Sequence, residues 1–327
     1  MTIHFLIVKL ILDEKGKEDK MVIDSFVDCI PCVLGMADKL ADKYIETKEE
    51  KFEFMMDVLK TISTIEYDRT APYLTARVMR LLKEKTGIED LYEEEKKKFN
   101  SEILNLFDDF SSYVDNADDS IKTALKLSMA GNIIDSGIID DISVDLVKKV
   151  IGKAMEDKFD EKLYLKFVND LKTKKELLYL GDNTGEVVFD MLFIKTIKKY
   201  YPDLKIVFVT RGTHILNDIT KEDAYNLGID KFAEIIDNGA DLPGTDLKEV
   251  SDSFKERFNA SNFIISKGQG NFESLPGTGK NIYYLFLCKC ELLQKQLNKG
   301  KLESVFINEN QLNILRRSND ESINFIS

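Results

Sequence analysis

Four short loops concentrate the residues of this chain that could do chemistry: Gly181-Asp182-Asn183-Thr184-Gly185-Glu186, Arg211 through Asp218, Asp237-Asn238-Gly239-Ala240-Asp241, and Lys267-Gly268-Gln269-Gly270-Asn271-Phe272-Glu273. Asp182, the amide oxygen of Asn183 and Asp218 supply three hard oxygen donors. Such a set suits Mg²⁺ or Mn²⁺ and leaves positions open for water and substrate. Cysteine and histidine are absent from it, which disfavours zinc. Gly181, Gly185, Gly268 and Gly270 let backbone N–H groups approach an oxyanion, and a helix beginning near Glu186 would aim its positive end at the same point. Lys267 adds a mobile positive charge. A metal, amide donors and a lysine around one point describe a phosphate site, where the metal polarises a phosphoryl oxygen and lowers the pKa of bound water.

Each of these residues also has a plainer reading. Asp182 could be only a turn or cap residue, and Asn217-Asp218 could only introduce the helix that Thr220 caps. Arg211 is a candidate phosphate partner, but an arginine ending a strand can pair with a neighbouring carboxylate instead. His214 could act as a general acid or be an incidental loop contact. Glu186 could orient an attacking water, although helix N-termini collect glutamates through the dipole anyway.

The loops need a scaffold, and the residues before them provide its pattern. Each follows a short apolar run: Leu177 to Leu180, Ile206 to Thr210, Ala233 to Ile236 and Phe263 to Ser266, with a fifth run at Ile282 to Leu287. Helical stretches separate them, as a parallel sheet with helical crossovers requires. In such α/β sheets the loops at the carboxyl ends of the strands converge on one crevice. Thr220 with Asp223 predicts a capping box for a helix ending near Gly228. Residues 21–173 read as helical almost throughout and residues 174–327 as a Rossmann-like α/β domain, with residues 1–20 as an extension outside the folded body. The charged run from Glu93 to Lys98 reads as a solvated helix face with internal ion pairs.

Gly181-Asp182-Asn183-Thr184-Gly185-Glu186 with Asp190, Asn217-Asp218-Ile219-Thr220 with Glu222-Asp223-Ala224, and Lys267 to Glu273 resemble motifs of the metal-dependent damage-control phosphatases, also catalogued as domain of unknown function eighty-nine. The resemblance extends over Asp28-Cys29-Ile30-Pro31-Cys32, Ala130 to Asp135 and Cys288-Lys289-Cys290, and so over nearly all of the chain from Met21. The N-terminal Cys-x-x-Cys is similar to that of the family's prokaryotic-type branch. The resemblance implies a helical region packed on a three-layer α/β/α domain with a mostly parallel sheet, and a phosphatase acting on small phosphorylated metabolites. It implies Asp182, Asn183 and Asp218 as metal ligands, with Mg²⁺ or Mn²⁺ expected and Co²⁺ or Ni²⁺ as further candidates. Lys267 would face the substrate phosphate; Gly212, Asn217 and Asn271 would line the pocket. The helical segment with Asn132 and Asp135 would reach the same pocket, unless those residues only cap helices around Gly131 and Gly137.

The reaction expected is phosphomonoester hydrolysis by in-line attack of water, with Asp182 either a ligand or a covalent nucleophile. A Rossmann-like S-adenosylmethionine-dependent methyltransferase is an alternative, although the full Gly-x-Gly-x-x-Gly spacing is missing after Leu180. A non-catalytic ligand-binding module is a third.

Composition sets outer limits on these readings. In 327 residues, 58 acidic and 46 basic side chains give a net charge of −12, which argues against sequence-independent nucleic-acid binding. The apolar run from Ile3 to Leu12 is interrupted by Lys9 and is too short to span a bilayer, so no membrane association is expected. Four cysteines are too few for a disulfide scaffold and read as thiols of a reducing compartment, the cytoplasm by default. Cys29, Cys32, Cys288 and Cys290 permit a structural zinc site or a redox pair, with buried inert thiols as the plainer reading. The sequence specifies no oligomeric state.

Overall fold

The computed structural model describes residues 26–66, 69–131, 152, 155–156 and 160–312. The expectations for residues 1–20 and for Asn132 and Asp135 fall outside them. The chain opens with helices α1 (Phe26–Tyr44), α2 (Lys48–Ser63), α3 (Ala71–Thr86), α4 (Glu93–Leu104), α5 (Phe107–Asp115), α6 (Ser120–Gly131) and α7 (Glu161–Thr173). Alternation follows: β1 (Glu176–Leu180), α8 (Glu186–Tyr200), β2 (Lys205–Thr210), α9 (Lys221–Leu227), β3 (Glu234–Asp237), α10 (Asp252–Ala260), β4 (Ile264–Lys267), α11 (Gln269–Ser274), β5 (Ile282–Leu287), α12 (Glu291–Leu297) and β6 (Ser304–Asn308). No helix among the described residues is long and apolar enough to cross a membrane.

The sheet order is β3-β2-β1-β4-β5-β6. Strand β1 pairs in parallel with β2 on one side and β4 on the other, so the order reverses between β1 and β4. Ligand sites of open α/β sheets form at such a switch point. Here the two carboxyl ends flanking it lead into the Asp182 loop and the Lys267 loop. Strand β6, which the sequence pattern does not single out, adds an antiparallel edge to β5. Its short, partly buried stretch lacks the continuous apolar run of the inner strands.

Both faces of the sheet are covered, which explains why its inner strands read as continuous apolar runs rather than alternating ones. Leu177, Tyr179, Phe208, Ile265 and Tyr283 face one core, shared with Phe110, Leu125, Phe167 and Phe193. Leu178, Leu180, Val207, Ile264 and Tyr284 face the other, shared with Phe254, Phe258, Phe272 and with Tyr73 and Ala76 of α3. A third cluster joins α1, α2 and α3 through Ala37, Phe54, Val58, Val78 and Leu82, and Ile215 of the loop after β2 packs into it. Helices α5 to α7 therefore serve as a layer of the sheet domain, and the first three helices lean on the loop after β2.

Local signals behave as their chemistry dictates. Thr220 and Asp223 form a reciprocal capping box, and α9 ends at Gly228 in the left-handed region at φ 81°. In the charged run of α4, Lys97 pairs with Glu93 on the surface. Lys96 departs from the solvated face expected of it. Its side chain is buried and its ammonium lies 2.7 Å from Asp90 and 3.2 Å from Asp223, tying α4 to α9.

Phe167 of α7 is fully buried, with ring centroids 5.1 Å from Tyr283, 5.9 Å from Phe263 and 6.0 Å from Phe306. Because this ring joins a helix preceding the sheet to strands β5 and β6, Phe167→Ala should cost about 3–5 kcal/mol in chemical denaturation. A loss below about 1 kcal/mol would mean that α7 is not part of the sheet's core.

Candidate active site

Main-chain hydrogen bonds, before any side chain, bring the first two loops together. Gly181 N–H donates to the Val209 carbonyl (2.9 Å), Ile219 N–H to the Asp182 carbonyl (2.9 Å), and Arg211 N–H to the Ile219 carbonyl (3.0 Å). Thr184 donates through its amide (3.0 Å) and its hydroxyl (3.1 Å) to the Asn217 carbonyl. Asn183 and Asp218 face each other as an isolated antiparallel bridge. The three expected metal ligands are thus held side by side by the backbone, and all three are buried.

Arg211 stands between the two carboxylates and is only 1% exposed. Its Nε donates to Asp218 Oδ2 (2.6 Å), Nη2 to Asp182 Oδ1 (3.3 Å) and Nη1 to Asn271 Oδ1 (3.3 Å). Of its two readings from sequence, the structure shows the carboxylate partner. Asn271 is a fastener more than a pocket wall. Its amide nitrogen donates to the Lys267 carbonyl (2.7 Å) and the Gly181 carbonyl (3.2 Å), while its amide oxygen also accepts from Thr245 Oγ1 (2.7 Å). One fully buried side chain therefore joins three of the four loops.

Lys267 is placed differently from the expectation that it faces the phosphate. Its ammonium is fully buried and donates to the Ser128 carbonyl (2.7 Å), to Asp190 Oδ1 (2.7 Å) and to Glu186 Oε1. Those three acceptors match the three hydrogens of an ammonium. Asp190 Oδ1 also accepts from Ser128 Oγ (2.6 Å) and the Tyr179 hydroxyl (2.8 Å), while its Oδ2 is buried with no hydrogen-bond partner. Glu186 opens α8 directly after the Asp182 loop.

The glycines explain themselves by close approach. At Gly268, φ is +79° and a side chain would overlap the Asp182 carboxylate. Gly212 rests on the Gly239–Ala240 backbone, with its N–H donating to the Ala240 carbonyl (2.8 Å). Asn217 contributes its main-chain carbonyl, as described. His214 turns towards the helices: its Nδ1 is 3.0 Å from Asp90, and its carbonyl accepts from Lys83.

Two residues were not legible as site residues. Asn100 of α4 accepts the Gly185 N–H through its side-chain oxygen (2.7 Å), so the helical half caps the Asp182 loop directly. Nothing in its charged helix marks it. Lys289, half-buried after β5, lies near enough to Asp182 to lower its carboxyl pKa. Its place between Cys288 and Cys290 leaves no local sign of that proximity.

Burial dominates the electrostatics. It pushes the Asp182 carboxyl up to about 7, with Asp218 adding to the rise and Arg211 opposing it. Asp218 is pushed up to about 6 by burial against the pull of Arg211, and Glu186 to about 7 by burial against Lys267. Four buried carboxylates, Asp182, Asp218, Glu186 and Asp190, surround two buried cations, Arg211 and Lys267. When ionised, the cluster carries two negative charges more than it neutralises. Two carboxylates and an amide oxygen with that excess fit a hard divalent cation.

Strand β5 ends at Leu287, before Cys288 and Cys290. Cys288 is buried in the core, with burial pushing its thiol up to about 11. Cys290 is half-buried and Cys32 exposed. Among the described residues no group of three or more Cys, His, Asp or Glu side chains is arranged to hold a metal.

Comparison with known proteins agrees with this architecture. Residues 25–305 match the damage-control phosphatase ARMT1-like domain, and the chain belongs to that family. An uncharacterised protein of Methanocaldococcus jannaschii is 33% identical over 295 residues, covering 86% of this chain and 94% of the relative. A damage-control phosphatase of Archaeoglobus fulgidus is 30% identical over 282 residues, covering 82% and 93%. The crystal structure of a DUF89 family protein from Pyrococcus horikoshii superposes with a TM-score of 0.77 at 25% identity, covering 86% of this chain and 98% of that one. The mixed α/β fold and the hydrolase class expected from the motifs are thereby established.

The packing of Gly268 on Asp182 generates a test. Gly268→Ala should leave the far-UV circular dichroism intact and lower phosphatase activity by about 100-fold, since small displacements of reacting groups cost that much. Activity within about twofold of wild type would show that the Asp182 carboxylate need not stay where it is.

Proposed function

We propose that the chain hydrolyses phosphomonoesters of small metabolites, with Asp182, Asn183 and Asp218 holding a divalent cation, Mg²⁺ or Mn²⁺ by preference and Co²⁺ or Ni²⁺ as substitutes. The observation that carries this reading is the buried excess of two negative charges at the sheet's switch point. The names of the relatives, damage-control phosphatases, support the substrate class. When bound, the cation supplies Lewis acidity to a phosphoryl oxygen and acidifies water.

The protein's own residues divide the remaining work. Arg211 neutralises and orients Asp182 and Asp218. Lys267, satisfied by three internal acceptors, positions Glu186 and Asp190 rather than touching the substrate. Glu186, with its carboxyl near 7, is suited to orienting the attacking water and taking its proton. Lys289, near enough to Asp182 to lower its carboxyl pKa, is the cation assigned to the substrate phosphate, and the N-terminal end of α8 adds its dipole. Asp182 acts as a ligand, its carboxylate held by Arg211, Asn183 and the Gly268 backbone.

A panel of sugar phosphates and pantetheine phosphates, assayed with each of the four cations, tests this reading. Activity is expected with at least one ester and to require added cation. Asp182→Ala should lose about 100-fold or more, since even the outer partners of a metal's ligands are worth up to about 100-fold. Full activity in chelator, or a folded Asp182→Ala variant as active as wild type, contradicts it.

A further inference from the structure

Outside the Asp182 cluster, the sequence feature not absorbed by phosphatase chemistry is the Cys29-Ile30-Pro31-Cys32 segment. It lies in the first turns of α1 and forms one wall of a cleft of about 610 Å³. Cys290 faces the same cleft from the sheet domain, with Lys289 and Lys295. The fourth cysteine, Cys288, is excluded by its burial in the core. Cys29 and Cys32 are three residues apart on one helix, so they share a face, with Cβ atoms about 5–6 Å apart. A disulfide needs about 3.5–4.5 Å. Pro31 lies inside the helix and lacks the N–H that would bond the Val27 carbonyl, which loosens the turn that must tighten. Cys32 is exposed and Cys29 half-buried, so the two thiols differ in access.

We propose that this cleft is a thiol–disulfide exchange site, with Cys32 as the entering thiol and Cys29 as the resolving one. The Cys32 thiolate attacks one sulfur of a low-molecular-weight disulfide. That S–S bond breaks, one thiolate leaves and takes a proton, and a mixed disulfide remains on Cys32. The Cys29 thiolate then attacks the Cys32 sulfur and expels the second thiol. The Cys29–Cys32 bond forms as two electrons and two protons pass to the reagent. The cleft is lined by charges of both signs, Lys289 and Lys295 with Asp28, Glu273 and Glu291. The site borders the catalytic loops: Gln269 Oε1 accepts the N–H groups of Lys289 (3.2 Å) and Cys290 (3.3 Å), next to Gly268. Its chemistry is independent of the metal reading.

The test uses the reduced full chain with oxidised glutathione, followed by alkylation, digestion and mass spectrometry. The wild type should yield an intramolecular Cys29–Cys32 disulfide, with Cys288 and Cys290 recovered alkylated. Cys29→Ser should accumulate glutathione on Cys32, and Cys32→Ser should react at Cys29 at least about tenfold more slowly than wild type reacts at Cys32. Circular dichroism confirms that each variant is folded. Persistent glutathione on Cys32 in the wild type, no reaction at either thiol, or a bond from either thiol to Cys290 would overturn the proposal.

Discussion

A buried guanidinium between two buried carboxylates is the constraint on which this site depends. Asp182 and Asp218 arrive from different strands, and their like charges, removed from water, repel strongly. Arg211 makes their proximity tolerable with one bond to each. Removing one member of such a buried cluster leaves an uncompensated charge that costs about 3–5 kcal/mol. The bonds that enforce the proximity are main-chain ones from the first loop to the second. The cluster is therefore a consequence of the sheet's topology, with the side-chain charges adjusted to it. A second tier repeats the arrangement, with Lys267 between Glu186 and Asp190 at full burial. Together the two tiers hold one cation too few in each pair of carboxylates, a state that a bound divalent ion would relieve.

The helices ahead of the sheet contribute to the site as well as to the core. Ser128 of α6 accepts from Lys267 and donates to Asp190. Asn100 of α4 bonds the Gly185 amide, and Lys96 bridges to Asp223 beside the capping box that follows Asp218. The Asp182 loop is thus clamped from the helical side at several points, which fixes it more rigidly than a loop on a bare sheet edge.

Much of this was legible in the sequence because strand ends and glycines leave local signatures. The apolar runs located the five parallel strands, and the parallel-sheet rule then gathered Asp182, Asp218 and Lys267 at one edge. The direction of a lysine was not legible: Lys267 points beneath the loops because Glu186 and Asp190, one helical turn apart on α8, draw it there. The partner of an amphipathic face was equally hidden. Periodicity identifies the apolar stripe on α7 and cannot say that it meets Tyr283 and Phe306 rather than another helix. Strand β6 escaped because an edge strand needs only alternate burial, and Asn100 because a capping contact across 85 residues leaves no local pattern.

If the excess of carboxylates over cations at the switch point defines a metal site, folding must be linked to divalent cations. Thermal unfolding with and without Mn²⁺, on the wild type and on Asp218→Asn, measures this without any substrate. The account predicts a rise in the wild-type Tm, equivalent to about 2.7 kcal/mol at about a hundredfold excess over Kd, and little or no rise in Asp218→Asn. A wild-type Tm indifferent to Mg²⁺, Mn²⁺, Co²⁺ and Ni²⁺, or an equal rise in the variant, would contradict it.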